Sequence, residues 1–265
     1  MKASLAEHRL VDPVGLPDGR VRVSPLYRAP MASPHDFEFD TASILPDVPS
    51  GDDGQPLEVL HDREYRVQAY RMRDDQLLIR GAVRDQKPPG LYIAGDPDAL
   101  TIHHMQLDLE VSFPMLEIVG ASVEFVTHPN LECTHIASHY EKLVGLSIAR
   151  GFTHRVRELF GGPRACTHTT ALLQAMAPVA MQCMWSMQAS LARRSVIPAM
   201  PGEMDQSSRD MLWRRNLNTC HVWAEDTDLV RRIKEGAAMG TPLFAEERMV
   251  KLGRNPDDWV RGSNT

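Results

Sequence analysis

Hydrophobic positions change their spacing twice along the chain. Up to residue 64 no stretch holds a period of 2.0 or 3.6 for long, which predicts an irregular arm over 1–64. From Tyr65 to Val126 apolar and polar side chains alternate. Tyr65–Met72 and Leu77–Val83, joined by Arg73-Asp74-Asp75-Gln76, predict a hairpin. Pro88-Pro89-Gly90 breaks the chain, and two further alternating runs follow, Ile102–Val111 and Met115–Phe125. Four strands joined by short connections predict an antiparallel meander with one wet face.

Beyond Pro129 the period becomes helical. It predicts helices over Thr134–Ile148, Phe152–Phe160, Glu203–Leu217 and Asp226–Gly236, with Gly161-Gly162-Pro163 stopping the second. Residues 165–192 carry no formal charge. A run of that length raises the question of a membrane span. Its Thr167, His168, Gln174, Gln182 and Gln188 are costly in lipid, so a buried helix kinked at Pro178 is expected instead. Met176, Met181 and Trp185 on that helix either line a ligand pocket, together with Trp213 and Trp223, or fill the core. Strands followed by helices make the expected fold class α+β. The expected layout is one domain over 65–265, with its sheet in 65–126 and its helices in 130–250.

Composition narrows the function classes. Lys and Arg number 29 against 35 Asp and Glu, a net charge of −6 with no basic block, which argues against nucleic acid as a partner. The arm is acidic: Arg63 is the one base between Met31 and Glu64. Four cysteines in 265 residues are too few for a disulfide scaffold, so free thiols in the cytoplasm are expected. The first nine residues, Met1 to Arg9, hold no apolar core of a signal peptide.

Several segments can carry chemistry. Gly161-Gly162-Pro163-Arg164-Ala165-Cys166-Thr167-His168 feeds the long uncharged helix. There the unpaired first-turn amides favour a thiolate at Cys166, and Arg164 adds a positive group that suits an anion. Asp85, at the end of a predicted strand, can orient a histidine. His103 and His104 stand on opposite faces of their strand; His103 shares its face with Met105, Leu107 and Leu109. His135 and His139 lie one helical turn apart, without the glutamate of a zinc-protease helix. Phosphate-loop, dinucleotide and serine-hydrolase motifs are missing, so no cofactor is expected.

The order Arg84-Asp85-Gln86-Lys87, His104-Met105, Cys133, Leu143-Val144-Gly145-Leu146-Ser147-Ile148, Gly151-Phe152, Gly161 to His168, and Asn218-Thr219-Cys220-His221 resembles the bacterial family catalogued as domain of unknown function 2889. The resemblance spans Tyr65 to His221. It departs at Ala165, where the family usually has Gly, and at Thr169, where it has Leu. What it implies is a protein of small-molecule catabolism, with relatives among genes for aromatic ring compounds, and it favours His104, Cys133, Cys166, His168 and Cys220 as functional positions.

The expected function is therefore a cofactor-independent lyase acting on a small aromatic molecule by retro-aldol cleavage or elimination, such as loss of formaldehyde. His104 or His168 is its base, Asp85 the orienting carboxylate, and Arg164 with the helix start the anion holder, beside Cys166. One alternative is a zinc protein that uses Cys133, Cys166, His168 and Cys220. Another is a non-catalytic ligand-binding or assembly protein whose uncharged helix forms a homodimer.

Overall fold

Alternation produces the expected sheet. In the computed structural model, residues 43–194, 213–214, 216–237 and 240–261 are described. Strands β1 (Asp62–Arg73), β2 (Gln76–Lys87), β3 (Leu100–Ser112) and β4 (Ile118–Thr127) form one antiparallel sheet in the order β1-β2-β3-β4. Odd positions of β2 and β3 bury a row of apolar side chains: Leu77, Ile79, Val83, Met105, Leu107, Leu109 and Val111. Even positions put the ion pair Arg80–Asp108 on the opposite face. With the helices, this is the α+β class.

The predicted helix over Thr134–Ile148 is corrected. Leu131–Leu143 forms a 3₁₀ helix whose Ala137, Tyr140 and Leu143 are buried. The chain then turns at Gly145, with φ +87°, a region closed to most L residues, and runs beside the start of β4. The Gly145 N–H donates to the Ile118 carbonyl, and the Ile118 N–H to that of Leu146. The Leu143–Ile148 segment of the family pattern thus fastens a strand edge.

Helix α1 (Phe152–Phe160) falls where the period predicts it and buries Phe152, Val156 and Phe160. Helix α2 (Thr167–Arg193) contains Pro178 and buries Leu172, Leu173 and Met176. It lies close on β2 at Gly81: a Cβ there would come 2.8 Å from Met176 Sδ and 3.0 Å from Leu172 Cδ1. Gly81→Val is therefore expected to lower unfolding free energy by about 1–3 kcal/mol through overpacking. A denaturant titration checks this, and an unchanged midpoint would refute the close approach.

The chain divides into two compact units, Met1–Met184 and Trp185–Thr265, where the sequence pattern suggested one domain. The division falls inside the uncharged helix, where periodicity has no break to show. In the second unit α3 (Asp228–Lys234) is capped by Thr227, whose side chain accepts from the Val230 N–H. Helices α4 (Leu243–Lys251) and α5 (Asp257–Arg261) meet through Phe244 and Trp259, edge to face at 6.0 Å. The helix expected over Glu203–Leu217 falls largely outside the described residues. No helix among the described residues is long and apolar enough to cross a membrane.

Candidate active site

Strand register assembles the site. Asp85 on β2 stands directly opposite Arg63 on β1 and His103 on β3. All three occupy odd positions, so their side chains share the face that α2 covers. On β3 the pairing then skips Ile102, which shifts the register just beyond Asp85. Helix α2 brings His168, in its first turn, onto the same carboxylate.

Asp85 is the centre of this group, with its side chain 2% exposed. Arg63 grips it with both arms of the guanidinium fork, Nε to Oδ1 at 2.6 Å and a terminal nitrogen to Oδ2 at 2.7 Å. His168 Nε2 lies 2.9 Å from Oδ2, and His103 Nδ1 lies 3.2 Å from the same oxygen. His61 Nε2 stands 3.4 Å from Oδ1. The rings of His103 and His168 lie 4.0 Å apart, tilted by 31°. On the far side of the His168 ring, Nδ1 faces Cys166 Sγ at 3.7 Å.

The charges follow from these contacts. The hydrogen bonds from Arg63, helped by its charge and by His168, hold the Asp85 carboxyl well below the usual carboxylate range, against the opposing effect of burial. His168 moves down from its ordinary value because burial disfavours the imidazolium and His103 adds repulsion. The attraction of Asp85 offsets this only in part.

The helix start is fixed from below. The Cys166 carbonyl accepts from the Thr170 N–H at 3.0 Å and from the Thr169 hydroxyl at 2.9 Å. Thr169 also bonds the Tyr140 hydroxyl inside the core. Burial pushes the Tyr140 phenol up to about 12, so it stays a neutral donor.

Of the residues singled out in the sequence, Asp85, His168 and Cys166 come together. His104 does not join them. It lies on the opposite face of β3, 3.2 Å from Gln106, and His103 takes the position expected of it. Arg164 is exposed and donates to the Arg157 carbonyl at 3.1 Å, so its guanidinium serves the end of α1. Met176 is fully buried against β2, and Met181 and Trp185 are half-buried. Among the described residues, the metal-competent group is Asp85, His103 and His168. Cys133 sits in the 3₁₀ helix, and Cys220 is exposed in the second unit. His135 is exposed, while His139 Nε2 lies 2.9 Å from the Leu159 carbonyl. Trp213 is buried and Trp223 half-buried within the second unit.

Sequence reasoning missed Arg63 and His61 and set His103 aside. Both missed residues sit where the acidic arm was expected to continue. A signal was present, since Arg63 is the one base of that acidic stretch.

The fold and the cluster together define a small α+β domain with a histidine–carboxylate centre at one end of its sheet. A family profile described as "Protein of unknown function (DUF2889)" matches residues 61–182. The matched span begins at His61 and includes Arg63, Asp85, His103, Cys166 and His168. No curated protein and no solved structure gave a significant match.

Proposed function

We propose that the matched domain is a cofactor-independent lyase of small-molecule catabolism, with His168 as its general base. The observation that carries this reading is the 2.9 Å contact of His168 Nε2 with a carboxylate that Arg63 clamps in place. A carboxylate at Nε2 selects the tautomer with its proton on that nitrogen, which leaves the Nδ1 lone pair to accept a proton. That lone pair looks away from Asp85, toward Cys166, and the imidazole remains 13% exposed.

In a retro-aldol step, Nδ1 takes the proton of a substrate hydroxyl. The bond between the hydroxyl-bearing carbon and its neighbour then breaks, the former carries off its oxygen as a carbonyl, and the electron pair stays on the neighbour. The imidazolium, stabilised by Asp85, returns the proton there. The cleavage uses no redox equivalent. An aromatic substrate comes from the family resemblance, and formaldehyde is the carbonyl released when that substrate carries a hydroxymethyl side chain. A cytoplasmic setting is supported by four cysteines that are all free thiols.

The test is direct. Protein stripped with a chelator is incubated with phenolic compounds that carry a hydroxymethyl side chain, and formaldehyde is measured. Release without added cofactor is expected from at least one compound, and none from any of them would sink the lyase reading.

A further inference from the structure

The contacts around Asp85 fill what one carboxylate can accept. Five nitrogen atoms reach it: Arg63 Nε and His61 Nε2 at Oδ1, and the Arg63 terminal nitrogen, His103 Nδ1 and His168 Nε2 at Oδ2. A carboxylate offers about four lone-pair sites, two on each oxygen. Three of these nitrogens crowd onto Oδ2, and two of them are imidazole nitrogens able to ligate a metal ion.

The spacing suits a metal ion. Imidazole nitrogens and carboxylate oxygens bound to zinc at about 2.0–2.2 Å sit roughly 3.3 Å from one another when tetrahedral. Here the donor atoms stand 2.9 and 3.2 Å apart, and all three lie within 4.8 Å of one another. They come from β2, β3 and the first turn of α2, so the packing of α2 on the sheet sets their geometry. Exposure rises outward, from 2% at Asp85 to 13% at His168, 21% at His103 and 37% at His61, which leaves an approach from solvent.

We propose that Asp85, His103 and His168 bind one zinc-like divalent ion, with His61 beside the open side, and that this ion switches the base off. The proposal rests on the reading of His168 as the base. An ion on His168 Nε2 displaces the proton from that nitrogen to Nδ1, and the imidazole stays neutral. Nδ1 then holds a hydrogen instead of the lone pair that takes the substrate proton. Metal occupancy and general-base function thus exclude each other at one ring. The choice of ion follows from the donors: two imidazoles and a carboxylate suit zinc and its first-row neighbours better than calcium or magnesium. The guanidinium of Arg63, held on both carboxylate oxygens, repels a second cation, so binding is reversible rather than structural.

The experiment uses the full chain, freed of metal by chelation. Zinc chloride is titrated in by calorimetry, and bound metal is measured after gel filtration. About one zinc per chain is expected. Affinity should fall by at least about tenfold in His103→Ala, and equally in His103→Gln should the alanine variant fold poorly. Cys133→Ser and Cys220→Ser should bind as the parent does. Zinc should also stop formaldehyde release by the metal-free protein. Absence of binding, undiminished binding in both His103 variants, or loss of binding in a cysteine variant would overturn the site. Release that zinc starts rather than stops would overturn the switch and the metal-free base reading together, while leaving the site in place. Absent binding with release intact would remove the site and leave the lyase reading standing.

Discussion

Replacing His168 with Ala is expected to lower formaldehyde release by about 10²- to 10⁴-fold, the usual contribution of a positioned general base. The same variant should stay folded. His168 gives Asp85 one of several partners, and Arg63 keeps the carboxylate satisfied after the ring is gone. The stability lost is that of a half-buried hydrogen bond, about 1–3 kcal/mol. Release assays and thermal melts on one preparation separate the two roles. A variant that melts early yet keeps its turnover would make His168 a core residue and leave the base to be found elsewhere.

The second large effect is on stability. Phe160→Ala should cost about 3–5 kcal/mol, the range for removing a buried phenyl ring. Phe160 is almost completely buried, stacks on Tyr140 at 5.3 Å, and takes the edge of His139 at 5.2 Å. Its carbonyl accepts from the Thr170 hydroxyl, so it also ties α1 to the first turn of α2. A urea titration gives the stability change. If the loss were below about 1 kcal/mol, the rings around it would not form the core described above.

Much of the fold was legible because burial imposes a period. Alternation from Tyr65 to Phe125 placed the four strands, and α1 has the bounds that its apolar spacing gives. The 3₁₀ helix was not legible, since the three-residue spacings of Ala137, Tyr140 and Leu143 fit either helix type. The site was half legible. Asp85, Cys166 and His168 stood out as residue types at the ends of elements, where side chains converge. His104 displaced His103 because the family pattern weighed more than the face of the strand. The alternation itself put His103 with Met105 and Leu107, toward the core. What no periodicity could supply was register. The pairing of Asp85 with Arg63 and with His103 depends on turn length and on the skip at Ile102, and neither leaves a hydrophobic signature.

The hydroxyl pair beneath the helix start bears on how this family can vary. Thr169 donates to the Cys166 carbonyl, so its oxygen is left to accept, and the Tyr140 phenol must be the donor. Hydrogens therefore run in one direction, from Tyr140 through Thr169 to Cys166. Valine at 169 alone would strand a buried phenol, and phenylalanine at 140 alone would leave an acceptor empty. Losing both at once removes the unmet demand, because a missing pair costs far less than a missing half. The two positions thus act as one unit, and substitutions there should arrive in relatives as coupled exchanges.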